Sequence, residues 1–582
     1  MSDATVIPTP ATPDVCSISL LIDGEEISTA FHVLSASVFQ ELNRIPSASV
    51  QLRDGEASQQ TFPASNTEHF VPGRPIEIRL GYRGETEAVF KGLVITHRIR
   101  VRKSGSLLSL ECRDEAVRMT RGRKSRLHLD TTDGDLIDGL IGEYGLQRDV
   151  ASTKPTLREV IQYDATDWDF VVCRAEANGH VVAVRDGTVT VRPPATDASP
   201  VVAAQFGATV LELDAEIDAR HQVPGVTATT WNATDQELLE VEGSEPSLLD
   251  TGNLSPSDLA DVLGGDPVVL RHGGGLGDPE LQALADAHLL RDRLAKVRGR
   301  VRFQGFSGVT AGDVVEVNGI GDRFAGPQLV SGVLHTFANG NWETDVAFGL
   351  KPETQLERFP VTALPAAGLL PSVNGLQVGV VVALEGDPDG EDRIQIRLPL
   401  VSTGEDGVWA RVATLDAGAG RGTCFRPELD DEVVVGFLDG DPRHPVVLGQ
   451  CHSSAKPAPV PGADLNHVKG YVSRSKLKLT FDDDGKVASL ETPEGNRLSL
   501  SEADKAVKIE DQNGSSITLD ANGITFESSK DIVLKSSGDI SLEAGANVTA
   551  SAQAQFTAEG QGGVKVSSSG TTVVKGSLVQ IN

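Results

Sequence analysis

The sequence predicts a mainly β protein with some α, and three observations carry that expectation. Glycine and proline fill 60 and 30 of 582 positions while aromatics make up only 4%, a balance that favours short strands and tight turns over long packed helices. Five short alternating runs crowd between residues 375 and 452. From Ile524 onward, apolar positions recur with a strict period of eight.

Taken in order, residues 1–14 read as a tail, and 15–365 as mixed α/β domains in two parts, about 15–200 and 201–365. SISLLIDGEEIS sets Asp23-Gly24 between alternating runs, a hairpin signal, and RPIEIRLGYRGETEAVFKGLVITHRI reads as strand, glycine-rich turn, strand. A helix follows: Leu136, Ile137, Leu140 and Ile141 recur at helical spacing after the cap candidates Thr132 and Asp133, and Gly145 ends the run. Trp168, Val171 and Val172 share one face of a second helix that stops at Asn178-Gly179. For a third, Asp278 is the expected N-cap, Pro279 takes the first helical position, and Leu281, Leu284, Ala285, Leu289 and Leu294 form the stripe.

The Pro- and Ala-rich stretch TALPAAGLLPSV marks a boundary at 362–373. Beyond it GVVVALE, RIQIRLP, GVWARVAT, DEVVVGFLDGD and HPVVLGQ alternate with turns, which predicts an OB-fold barrel over 375–452. Residues 453–475, including SSAKPAPVPG, read as a linker.

The last segment, 476–582, is the most informative. Ile524, Ile532, Ile540, Val548, Phe556, Val564 and Thr572 are each eight residues apart, and two positions on Phe526, Leu534, Leu542, Ala550, Ala558, Val566 and Val574 keep the period. Residues two apart in a strand share a face, so each octad offers two inward side chains and then a bend of small or polar residues. Two side chains per strand cannot offset a backbone ordering cost of ~1 to 2 kcal/mol per residue in a lone chain. Copies must supply one another's core. Three chains wound about one axis satisfy this as an intertwined β-helix without open edges, and no proline follows Pro493 to interrupt its ladder. The predicted trimer core is Ile524, Phe526, Ile532, Leu534, Ile540, Leu542, Val548, Phe556, Val564, Val566 and Val574.

Charge and cysteines exclude several classes. A net charge of -30 argues against nucleic-acid binding, which needs clustered cations. The one basic run, Arg118, Arg121, Arg123, Lys124 and Arg126, reads as a solvated loop or subunit contact. Cys16, Cys112, Cys173, Cys424 and Cys451 lack C-x-x-C spacing and suit a reducing cytoplasm. The N-terminus has neither a basic region nor an apolar core, so the chain is expected to be made in the cytoplasm without a signal peptide.

LGYRGETEAVFKGLV, QYDATDWDFVVCRAEANG, RIQIRLP followed by WARVA, ELDDEVVVGFLDGDPRHPVVLG and the octads occur here in one order. That order resembles the VgrG proteins of type VI secretion and the related hub-and-spike proteins of contractile phage tails and extracellular contractile injection systems. Pro399-Leu400 departs from the Pro-Trp common in type VI members. The resemblance implies phage-tail-hub domains, an OB-fold collar and a trimeric needle: the central spike of an injection machine that caps the tail tube and punctures the target envelope to deliver effectors. Its implied partners are its own copies, tail tube and baseplate proteins, effector cargo, a target membrane crossed mechanically, and a PAAR-like tip protein docked at Val579, Ile581 and Asn582. The spike would be assembled into the baseplate and delivered or released outside the cell.

No residues call for catalysis or a cofactor. Arg271-His272-Gly273-Gly274-Gly275 contains an oxyanion-type HGGG string, but no G-x-S-x-G nucleophile elbow occurs in the sequence, so it reads as a loop. Asp387-Pro388-Asp389-Gly390-Glu391-Asp392 reads as a β-turn, because its glycine is misplaced for an EF-hand. Asp167 and Asp169 are expected to cap or solvate the helix beginning there. The last histidine is His467 and the last cysteine Cys451, so the needle carries no His or Cys metal ligand. A spike-borne enzyme, such as a peptidoglycan hydrolase or toxin, would need an inserted or appended domain, for which the chain leaves no room. A trimeric tail fibre would lack the hub and collar motifs.

Overall fold

The computed structural model describes residues 5–7, 15–404 and 407–581. They form two compact units, one of residues up to 374 with 439–442, the other of 375–438 with 443 onward.

The first unit is built on a 14-stranded sheet that draws strands from both parts of residues 15–365, with Val33–Glu41 lying beside Gly326–Ala338. Its local logic is visible at Asp23 and Gly24. Both have positive φ, 52° and 83°, which turns Cys16–Ile22 back onto Glu25–Glu26 in the primed-turn geometry that matches strand twist. The long strand Glu85–Arg102 pairs with Pro75–Tyr82 over its first half and Gly105–Arg113 over its second. Alternate residues such as Val38, Val50, Ile78 and Leu110 are fully buried on one face.

The helices form where the cap residues stand. Thr132 caps Asp133–Gly142 and Thr166 caps Asp167–Ala177, each hydroxyl accepting from the backbone N–H three residues on. Leu136, Ile137, Leu140 and Ile141 pack with Trp168, Val171 and Val172 in one core. Two expectations are corrected. Gly277, not Asp278, is the N-cap of Asp278–Leu294; Asp278 already belongs to the first turn, where its charge faces the positive helix end. The N-terminal tail is not free throughout: Thr5–Val6 pairs parallel with Val202–Gln205 and Ile7 is 1% exposed, because an apolar residue beside an open strand edge gains by adding to it. The remaining residues of the 1–14 tail lie outside the described residues.

In the second unit, Gln377–Ala383, Ile394–Arg397, Val408–Val412, Glu432–Phe437 and Pro445–Gln450 close into a five-stranded barrel filled by Val381, Ile394, Ile396, Ala410, Val433, Val435 and Val447. This OB-like barrel is followed by a seven-stranded antiparallel meander from Val468 to Glu527. The expected linker therefore ends early, since Val468–Val472 pairs with Lys478–Asp482. The expected intertwining from 476 is also modified. Up to Glu527 each strand pairs with its own chain's next strand, because Lys476, Lys486 and Lys505 adopt positive φ and let the chain double back.

Candidate functional site

The C-terminal sheet repeats one unit, a five-residue strand and a tight turn. Acidic and amide side chains hold the turns: Asp482 Oδ1 accepts from the N–H groups of Asp484 and Gly485 at 3.1 Å each, and Asp511 Oδ1 accepts from that of Ser515 at 2.5 Å. The Ser515 N–H bond, with help from Asn513, holds the Asp511 carboxyl below its ordinary range. Gly495, Gly514 and Gly523 supply the left-handed positions, φ 98°, 89° and 125°.

These turns set a register in which apolar residues face apolar residues across the six strands from Lys478–Asp482 to Gly523–Glu527. Leu479 lies opposite Leu490, which meets Leu498, then Ile509, Ile517 and Phe526. A second column runs Phe481, Ala488, Leu500, Val507, Leu519, Ile524. Both columns lie on one face because their members are two residues apart in each strand. That face is uncovered: Leu490, Leu500 and Phe526 are 52%, 51% and 63% exposed. The opposite face carries the small polar residues, with Thr480 Oγ1 and Ser489 Oγ 2.7 Å apart.

The columns end on Ile524 and Phe526, the residues that begin the octads. Beyond Glu527 no strand is assigned among the described residues, yet bends recur at 529–530, 537–538, 545–546, 553–554, 561–562 and 569–570, with extended backbone between. Three of the six bends use one serine device: Ser528, Ser536 and Ser568 each accept from the N–H two residues on. The chain thus keeps the octad period in its backbone. Of the expected core, Ile524 and Phe526 are brought into the columns. Ile532, Leu534, Ile540, Leu542, Val548, Phe556, Val564, Val566 and Val574 have no strand partner and are exposed, as are Val579 and Ile581. Asn582 lies outside the described residues. The columns between Leu479 and Leu519 escaped sequence reasoning.

The other candidates resolve as structural groups. In the basic run, Arg123 donates to the Asp164 and Pro360 carbonyls, Lys124 pairs with Asp167 at 2.5 Å, and Arg126 grips Glu143 at 2.7 and 3.0 Å. Asp167 is fully buried rather than solvating its helix, and it accepts from Gln162 at 2.8 Å and Tyr144 at 2.6 Å. Burial raises its pKa, but the Gln162, Lys124 and Tyr144 hydrogen bonds outweigh burial and leave it lowered. Asp169 accepts from Thr166 and Gln355. Asp387 is held by Arg393 and by the N–H groups of Asp389 and Glu391, and the Arg393 bond depresses its carboxyl far below the usual range. The His272 ring bonds the Gly274 carbonyl at 2.8 Å. No group of three or more His, Cys, Asp or Glu poised for a metal is found among the described residues.

A family model described as the Alg8 N-terminal domain matches residues 12–339, and one described as the type VI secretion system/phage-baseplate injector OB domain matches 377–452. The chain is 31% identical over 96 residues to the type VI secretion system spike protein VgrG3 of Vibrio cholerae serotype O1, covering 15% of this chain and 9% of that protein. It is 38% identical over 96 residues to the spike protein VgrG4b of Pseudomonas aeruginosa, covering 15% and 12%. A tail protein from Neisseria meningitidis MC58 superposes with TM-score 0.44 at 16% identity, over 59% of this chain and 99% of that one.

Proposed function

Because this chain belongs to the Alg8 N-terminal domain family and carries the injector OB domain, a VgrG-like spike or baseplate tail protein of a type VI or phage-like system, we propose that it works as a homotrimeric puncturing spike. One observation supports the trimer above others: two in-register apolar columns cross the meander uncovered and run on into an octad array whose bends keep their period. A single sheet with an exposed apolar face is unstable in water, and identical copies offer the matching period. In this reading, Ile524 through Val574 line the axis of an intertwined three-chain β-helix, the hub caps a tail tube, and Val579, Ile581 and Asn582 seat a PAAR-like tip protein. The spike carries effectors across the target envelope, driven by contraction elsewhere, and does no catalysis itself. It is assembled in the cytoplasm into a baseplate and leaves the cell with the particle.

Light scattering on the purified full chain tests the core of this reading. A mass near three times 61.5 kDa is expected; a monodisperse monomer with ordered β structure in its C-terminal segment would overturn it.

A further inference from the structure

After the strand Asn341–Phe348 the chain lies against the helices Asp167–Ala177 and Asp278–Leu294 as a strap of residues 349–361. Its fastenings are mostly polar. The Leu350 N–H donates to the Leu294 carbonyl at 3.0 Å, and Lys351 pairs with Glu41 at 3.2 Å. The buried Gln355 donates its backbone N–H to Glu176 at 2.8 Å and its side chain to Asp169 at 2.9 Å. Of its apolar residues Val361 is buried, but Leu356 is 61% exposed. A segment held by so few apolar contacts opens locally at a fraction of the global unfolding free energy.

The helix Asp278–Leu294 places an ill-satisfied carboxylate at this seam. Asp292, in its last turn, is 6% exposed, yet no hydrogen bond reaches its carboxylate among the described residues, and its ion-pair neighbour is His288 Nε2, one turn back, at 3.5 Å. The other cations nearby are engaged elsewhere. Arg291 reaches Glu176 at 3.4 Å, Arg293 grips Glu245 at 2.7 and 3.0 Å, and Lys296 donates to the Thr251 and Leu254 carbonyls at 3.0 Å each. From the strap, Glu357 acts on both Asp292 and His288 with a negative charge. The free carbonyls ending the helix add to that negative potential.

Burial therefore pushes the Asp292 carboxyl up to about 6, with Arg293 and Arg291 opposing and Glu357 reinforcing the shift. Burial and Arg291 lower His288, while Glu357 draws it back up. Groups so placed titrate as a pair. Once the pair has lost its proton, the buried carboxylate and Glu357 repel across the seam; with the proton bound that repulsion is gone. Opening the strap hydrates Asp292 and returns its carboxyl toward the ordinary 3.8. The advantage of the closed form is then complete below 3.8 and is lost as pH rises through about 6. Glu357 is held by the Thr354 backbone N–H, which lowers its carboxyl from 4.5, so it stays charged while Asp292 titrates.

We infer that residues 349–361 are a clasp that acid fastens and neutral pH loosens, with the His288–Asp292 pair as its sensor and Glu357 as the charge it works against. The clasp governs the segment through which the chain leaves the strands of the first unit on its way to residue 375. All its parts belong to the first unit, so it stands apart from the trimer proposed above.

Hydrogen exchange of the full chain tests it, read by mass spectrometry at pH 5 and pH 8 and corrected for the intrinsic pH dependence of amide exchange, with the barrel strand Glu432–Phe437 as internal reference. The Arg358 and Phe359 amides, which donate to the Thr354 and Gln355 carbonyls, should lose roughly tenfold in protection between the two, the factor implied by carboxyl values of about 6 closed and 3.8 open. Asp292→Asn should keep at pH 8 at least the protection the parent has at pH 5. Glu357→Gln, which still accepts from the Thr354 N–H, should shrink the response and serves if Asp292→Asn fails to fold. Parent protection that does not change with pH, or a change that persists undiminished in the variants, overturns the clasp. So does a strap that exchanges no faster than the core strand Ser47–Arg53 at either pH, because it would then have no opening of its own.

Discussion

Leu490 stands directly opposite Leu498 in the C-terminal sheet, and in the single chain the two are 52% and 39% exposed, whereas Ser489 and Ser499, paired on the other face, are 8% and 6% exposed. A sheet that folded for itself would show the reverse, since burying leucine contributes about 1.5 to 3 kcal/mol and burying serine contributes little.

Substitution in the octads tests where that apolar face leads. Ile540→Asp should place three unpaired carboxylates on one axis, at a cost of several kcal/mol for each buried charge, and should abolish trimer recovery. Ser541→Asp, pointing away, should leave trimer yield and thermal midpoint close to the parent. Size exclusion with light scattering and a thermal melt read both, and equal losses would show that the inward phase is wrong.

Asp167 governs a second expectation, in the first unit. Its carboxylate is buried against Lys124, Tyr144 and Gln162, so Asp167→Asn should cost about 3 kcal/mol, the range for breaking a buried pair. Because its folded pKa lies below the ordinary 3.8, the stabilisation is present above that value and is lost as pH falls through the folded pKa. Variant and parent should therefore differ in denaturant midpoint at pH 7, and the difference should begin to shrink near pH 3.8 and vanish as pH falls through the lower folded pKa.

Much of this was legible in the sequence, and the misses have physical causes. Thr132 and Thr166 announce their helices because capping is local. Asp278 has the side chain of a cap, but Gly277, with extended φ and ψ of -74° and 154°, holds that position without a side chain. The octads were visible because each advances the chain by one equal step. The columns in the meander were not, because Leu479, Leu490, Leu498, Ile509, Ile517 and Phe526 fall at unequal intervals. A hairpin reverses direction at every turn, so partners drift alternately nearer and farther in sequence.

Asp292 predicts a gain rather than a loss. Burial pushes its carboxyl up to about 6, with Arg293 and Arg291 pulling the other way. Folding therefore takes up a proton, and the penalty for the charged form is absent below 3.8 and complete above about 6. Asp292→Asn should stabilise the protein by up to about 3 kcal/mol at pH 7.5 and by nothing measurable at pH 3.5. Differential scanning calorimetry at the two pH values checks this, and a gain that persists in acid would assign the effect to packing instead.

The last expectation concerns how a spike would work. With strands ~4.8 Å apart, seven octads advancing one strand each give roughly 34 Å of shaft, close to the ~30 Å hydrocarbon core of a bilayer, and the meander adds further length. Between the apolar pairs the octads carry mostly Ser, Gly, Ala, Lys, Glu and Gln, without the lipid-facing apolar girdle of a resident membrane barrel. Three chains of net charge -30 are also repelled overall by anionic lipid at low salt. Insertion should then need external force, so purified trimer alone should release no dye from anionic or neutral liposomes at neutral pH. Efficient leakage without a contractile particle would identify a pore-former, whose apolar columns face lipid rather than sister chains, and the mechanical reading would fail.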